Sequence, residues 1–159
     1  MYQIEVKRHL IEKQFSPSEG WKITVDIDAM EKGLGNQNPP EKRELAKLQL
    51  EWMEKQGVTI APHPDYGRVD IVAEHPKYGR FLVEVEGDTS RQKEQAMYSA
   101  LGQTIIMMKE QEQEFTYGLA VPDDMAWINQ IAKIPKHVCN LLNLRLYLVS
   151  KEGVRELSQ

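Results

Sequence analysis

Cysteine is all but missing from the chain. Cys139 is the only one, so no internal disulfide can form. It stands among Val138, Leu141 and Leu142, which favours a small core residue over a nucleophile, and no position in the sequence gives it an obvious histidine base. Long apolar runs are missing too. None approaches the roughly 20 residues of a membrane-spanning helix. The opening Met1-Tyr2-Gln3-Ile4-Glu5 lacks the charged-then-apolar layout of a signal peptide. A cytoplasmic location, with no membrane partner, is therefore expected. A basic excess is also absent. The formal net charge is -4, whereas a sequence-independent nucleic-acid coat would carry a basic stripe. Acidic metal ligands also lower net charge, so the balance does not exclude enzymes that act on nucleic acid. The four histidines (His9, His63, His75 and His137) show no close ligand spacing, which argues against a zinc site. Repeats, low-complexity tracts and linkers are lacking as well.

What remains is 159 residues at 41% hydrophobic, enough for one domain with a proper core. Residues 2 to 6 alternate apolar and polar, as do Trp21, Ile23, Val25 and Ile27, with the turn-rich Ser16-Pro17-Ser18-Glu19-Gly20 between them. The pattern predicts an antiparallel hairpin over residues 2 to 28, and hence a β-hairpin extension over 1–36 preceding a domain over 37–159, all one folding unit. Its alternating strands could pair across a two-fold axis, giving a homodimer. Lys7, Arg8 and His9 could alternatively meet a phosphate backbone, or simply form a solvated strand end. A loop over Gly33 to Pro40 leads into a helix from about Pro40 to Gln56, stopped by Gly57. Its apolar arc is centred on Gln49, with Glu44 and Glu51 turned to water. Strands follow at Val58–Ala61, Arg68–Glu74 and Arg80–Glu86. A helix from about Thr89 to Lys109 comes next, with Asp88, Thr89 or Ser90 as cap and Glu94 placed for a capping box. After it come a strand at Tyr117–Val121, helices to about Lys133 and Leu142, a strand at Leu144–Val149 and a small edge strand at Val154–Leu157. The chain thus reads as α/β, with the order α-β-β-β-α-β-α-β after the first hairpin.

The two strands joined by His75-Pro76-Lys77-Tyr78-Gly79 carry the chemistry. A turn symmetric about Lys77 pairs Glu74 with Arg80, Val72 with Leu82, Asp70 with Glu84, and Arg68 with Glu86, all on one face. Val69, Ile71, Ala73, Phe81, Val83 and Val85 make the other face, the core side. Like charges directly opposite destabilise a strand pair, so Asp70 against Glu84 is out of place in an ordinary sheet. A divalent cation between them removes the conflict. Mg²⁺ takes oxygen ligands, keeps several waters and uses one or two carboxylates. A solvated face with surface ion pairs is the competing reading.

Val69-Asp70-Ile71-Val72, then Phe81-Leu82-Val83-Glu84-Val85-Glu86-Gly87, then Ala100-Leu101-Gly102-Gln103 in a helix, resembles the PD-(D/E)xK phosphodiesterases, the restriction-endonuclease-like superfamily. The resemblance spans roughly residues 40 to 150. It implies an α-β-β-β-α-β core with a mixed sheet flanked by helices, and hydrolysis of nucleic-acid phosphodiesters, DNA above RNA, with Mg²⁺ or Mn²⁺. Asp70 and Glu84 would be metal ligands and the carbonyl of Val85 a third. The motif position normally held by Lys is Glu86 here. It could serve as general base or as ligand to a second metal, or merely pair with Arg68. Lys93 could replace the missing charge, and Gln49 could stand where many members put a helical Glu. Gln103, sharing a stripe with Gln92, Ala96 and Ser99, could line the site or cap a neighbouring group. Arg68, Lys93, Gln49 and Gln103 are thus candidate substrate contacts. The Gln-Tyr motif of the exonuclease branch is not reproduced, since Gln95 and Tyr98 are one residue too close. The missing Lys and acidic balance leave an alternative: a catalytically degenerate module that binds nucleic acid or protein.

Overall fold

The computed structural model describes residues 1–35, 38–88, 92–109 and 115–157. A seven-stranded mixed sheet has the order β2-β1-β3-β4-β5-β6-β7. The elements are α1 (Gln3–Gln14), β1 (Lys22–Val25), α2 (Pro40–Lys55), β2 (Thr59–Ile60), β3 (Ile71–His75), β4 (Gly79–Val85), α3 (Lys93–Met107), β5 (Phe115–Pro122), α4 (Met125–Ile131), α5 (Lys136–Leu142), β6 (Leu144–Val149) and β7 (Val154–Glu156). The predicted order from the second helix onward is present. So is the register of the central hairpin: Glu74 opposes Arg80 and Val72 opposes Leu82. Gly79 makes the tight turn possible, because its φ of +79° is a left-handed conformation that a Cβ disfavours.

The N-terminal hairpin is corrected. Residues 3–14 are a helix, and only Lys22–Val25 of the predicted pair is a strand. The alternation of Tyr2 to Val6 misleads because α1 is buried nearly all round: Ile4, Glu5, Val6, Lys7, His9, Leu10 and Ile11 are all buried. A helix without a wet face shows no clear 3.6-residue period. Its start is fixed locally by Glu5, whose carboxylate accepts the Tyr2 N–H at 2.8 Å. β1 is also no free edge. It runs parallel to β2 and antiparallel to β3, inside the sheet, so β1 is not available as the free strand that pairing across a two-fold axis would use.

Each face of the sheet has its own core. Ile4, Leu10, Ile11 and Phe15 of α1 pack with Ile23, Val25, Ile71, Ala73, Phe81, Val83 and Val85. On the other face Ala96, Met97 and Ala100 of α3 and Trp127 and Ile131 of α4 pack with Val72, Leu82, Leu119 and Leu146. The face carrying the carboxylates is therefore covered by α3 along most of its length. β4 and β5 are buried on both faces, as parallel strands between helical layers are.

α3 begins at Lys93, with Gln92 as its cap and no side-chain capping bond. Glu94 instead accepts from Tyr98 and Lys133, and Thr89 and Ser90 lie outside the described residues. Cys139 is half-buried against the second core. No helix among the described residues is long and apolar enough to cross a membrane.

Candidate active site

β3 and β4 leave their ladder at Ile71 and Val83, and the chain just beyond carries the acids. Asp70 is held from three sides. The Val85 N–H donates to its Oδ2 at 2.9 Å, the Gln3 amide lies 3.3 Å from the same oxygen, and Lys7 Nζ sits 2.6 Å from Oδ1. Its own carbonyl accepts the Asp26 N–H at 3.1 Å, tying β1 to the site. Val85 thus serves Asp70 through its amide.

Glu84, on buried β4, lines the same pocket as Asp70 and feels its charge. Burial, then the negative charge of Asp70, pushes Glu84 up to about 9, and Lys7 only partly offsets this. Glu84 therefore keeps its proton at neutral pH. Glu86 is half-buried, gives its N–H to Ala120 at 2.9 Å and lines the same pocket.

Lys7 is the residue that sequence reasoning missed. Its side chain is 0% exposed and reaches Asp70 Oδ1 at 2.6 Å, Glu31 Oε1 at 2.7 Å and the Asp26 carbonyl at 2.6 Å. The solvated strand end expected at Lys7 is thus a buried ammonium at the centre of the site. Burial pulls that ammonium down, but Asp70 and Glu31 more than reverse the effect and hold it above the ordinary lysine range. Glu31 is raised to about 7 by burial, against the pull of Lys7. Its Oε2 is buried without a hydrogen-bond partner among the described residues. The signal available in the sequence was a lysine among the apolar residues Ile4, Val6, Leu10 and Ile11, and the Asp26-Ile27-Asp28 run beyond β1.

The pocket around these groups has a volume of about 600 Å³, and Asp26, Asp28 and Arg68 stand on its rim. Arg68 pairs with Asp26 at 2.9 Å. Gln103 lines the pocket, and its amide also donates to the Ser99 hydroxyl at 3.3 Å, a side chain and not the backbone group that was the alternative. Lys93 is elsewhere: Asp88 holds it at 2.6 Å, and it lies 4.8 Å from the Trp127 ring centre. Gln49 is half-buried on α2 and is not among the residues that line the pocket; the helix side chains that reach Asp70 are those of Gln3 and Lys7, from α1. Glu44 and Glu51 are exposed, as predicted.

The donors suit a hard cation. They are carboxyl oxygens, one orphaned on Glu31, one on Glu84 kept protonated by burial and then by the charge of Asp70. No group of three or more His, Cys, Asp or Glu has metal-binding geometry among the described residues, but Mg²⁺ commonly takes only one or two carboxylates.

Fold and site define a mixed α/β protein in which helix, three strands, helix and strand (α1, β1, β3, β4, α3, β5) form the centre, an arrangement compatible with a nuclease-like fold. No family model and no curated protein matches the chain. A solved XisH family protein from Nostoc punctiforme is similar over 98% of this chain and 97% of its own, at 21% identity and a TM-score of 0.47. A likeness of that size leaves function to be argued from the site.

Proposed function

We propose that the protein is a divalent-metal-dependent nuclease that hydrolyses phosphodiester bonds, with DNA as the expected polymer. The observation that carries this reading is the meeting of Asp70 and Glu84 in one pocket, where burial and then the charge of Asp70 drive Glu84 up to about 9. Asp70 and Glu84 would hold Mg²⁺ or Mn²⁺, with Glu31 the next carboxylate available. Such an ion supplies charge neutralisation at a phosphoryl oxygen and a more acidic bound water. The chain's own residues do the rest. The Val85 amide and the Gln3 side chain fix Asp70. Glu86, on the pocket wall, accepts the proton of the attacking water. Lys7 is fully buried and acts through Asp70 and Glu31, setting their charge without touching substrate. Asp70→Asn keeps the size of the side chain and removes the charge, and loses one of the acceptor positions that serve Lys7 on one side and Val85 and Gln3 on the other. It is expected to abolish Mg²⁺-dependent cleavage of DNA while the circular dichroism spectrum stays native. Cleavage that survives in this variant would overturn the assignment.

A second reading rests on one observation. The Lys7 ammonium already neutralises Asp70 at 2.6 Å, and Glu86 replaces the motif Lys. A catalytically degenerate module that binds nucleic acid or protein would look the same. The readings part on cation binding: a hydrolase gains thermal stability with Mg²⁺, and a degenerate module does not.

A further inference from the structure

A second cavity, of about 750 Å³, opens beside the acidic pocket and shares Arg68, Glu84 and Gln103 with it. That volume lies within the range of organic-ligand sites and far exceeds what a hydrated ion needs. Its walls differ in kind from those of the acidic pocket: Tyr66, Phe115 and Tyr117 with Leu82, Ile106 and Met107. The Tyr66 ring is preset. One face stacks on His63 with centroids 4.6 Å apart, and its edge meets Phe115 at 5.6 Å. Arg80 also lies 5.7 Å from the Phe115 ring centre. Three cations, Arg68, Arg80 and Lys109, stand on the wall against Asp65 and Glu84.

Resting on the nuclease reading, we infer that this cavity receives one unpaired nucleobase next to the scissile phosphate, so that the substrate is single-stranded or locally unpaired nucleic acid. A planar apolar wall with cations around it suits a base and its flanking phosphates. The shared wall at Glu84 places such a base within one nucleotide of the acids. A base stacked in an intact duplex cannot enter, because it must leave the helix first.

The test is fluorescence anisotropy of the full chain with a labelled single strand and with the blunt duplex of the same sequence, in Ca²⁺. The single strand is expected to bind about tenfold tighter, the value of roughly one base-aromatic contact. Ile106→Glu and Tyr66→Ala are each expected to erase that preference. Ile106 is 73% exposed, so its variant carries no folding risk, and a thermal melt checks the other. Equal affinities, tighter duplex binding, no binding of either, or a preference untouched by Ile106→Glu would overturn the inference. Cleavage in Mg²⁺, scored separately, keeps the two ideas apart. A protein that prefers single strands yet cuts nothing retains this site and loses the hydrolysis. One that cuts duplex and single strand alike does the reverse.

Discussion

The energetics of the site turn on one side chain. Lys7 is an ammonium with no solvent contact, and removing one member of such a buried cluster leaves uncompensated charge at a cost of about 3–5 kcal/mol. Lys7→Met is therefore expected to lose that much in urea denaturation at pH 8. The loss should shrink at pH 5, because Glu31, already at about 7 with its partner present, then carries a proton and no longer needs one. Adding Glu31→Gln to Lys7→Met should recover part of the stability at pH 8 and little at pH 5. A loss independent of pH would mean that Lys7 contributes packing of its stem and not charge.

Among the elements, the junction of α1 with the end of β4 is the tightest. A Cβ on Gly87 would run into the backbone of Tyr2 and Gln3, and the Asp88 N–H donates to the Met1 carbonyl at 2.8 Å. Since backbone cannot yield as a side chain tip can, Gly87→Ala should push the start of α1 off the sheet and draw Gln3 away from Asp70. A fall in melting temperature of several degrees is expected, together with faster amide exchange over residues 3–7. Unchanged exchange there would show that α1 is not anchored at this point. The same junction explains what the sequence could show. The hairpin about Lys77 was legible, register included, because its turn is short and its alternation regular. Asp70, Glu84 and Glu86 followed from that register. Lys7, Gln3 and Glu31 were not legible. Lys7 and Gln3 reach the site from a helix buried nearly all round, which hides its period, and all three meet their partners across 24 to 67 positions that no local pattern encodes. Gln49 was misplaced for the same reason: the helix side chains that reach Asp70 come from α1 and not from the helix with the readable apolar arc.

For the whole molecule, the acidic balance is unevenly spread. Asp26, Asp28, Glu31, Asp70, Glu84 and Glu86 surround one pocket, against Arg68 on its rim and Lys7 beneath. Two of these carboxyls have folded pKa values above their ordinary 4.5, about 7 for Glu31 and about 9 for Glu84. Between 4.5 and those values the native state binds protons that the unfolded chain has released, so stability falls as pH rises through this window. Without divalent ions the melting temperature should therefore decline from pH 5 to pH 9. Glu84→Gln, which needs no proton, should flatten the decline above pH 7 and raise the melting temperature at pH 8 by about 3 °C for each kcal/mol regained. A cation on the same oxygens competes with those protons, so its effect must grow with pH. With Mg²⁺ at about a hundred times its Kd the gain is about 2.7 kcal/mol, or about 5–10 °C, at pH 8. It should be smaller at pH 5 and absent from Glu84→Gln. Differential scanning calorimetry across this grid separates a metal enzyme from a fold that has settled on Lys7 as its permanent counter-ion. In the second case the decline with pH remains and Mg²⁺ changes nothing.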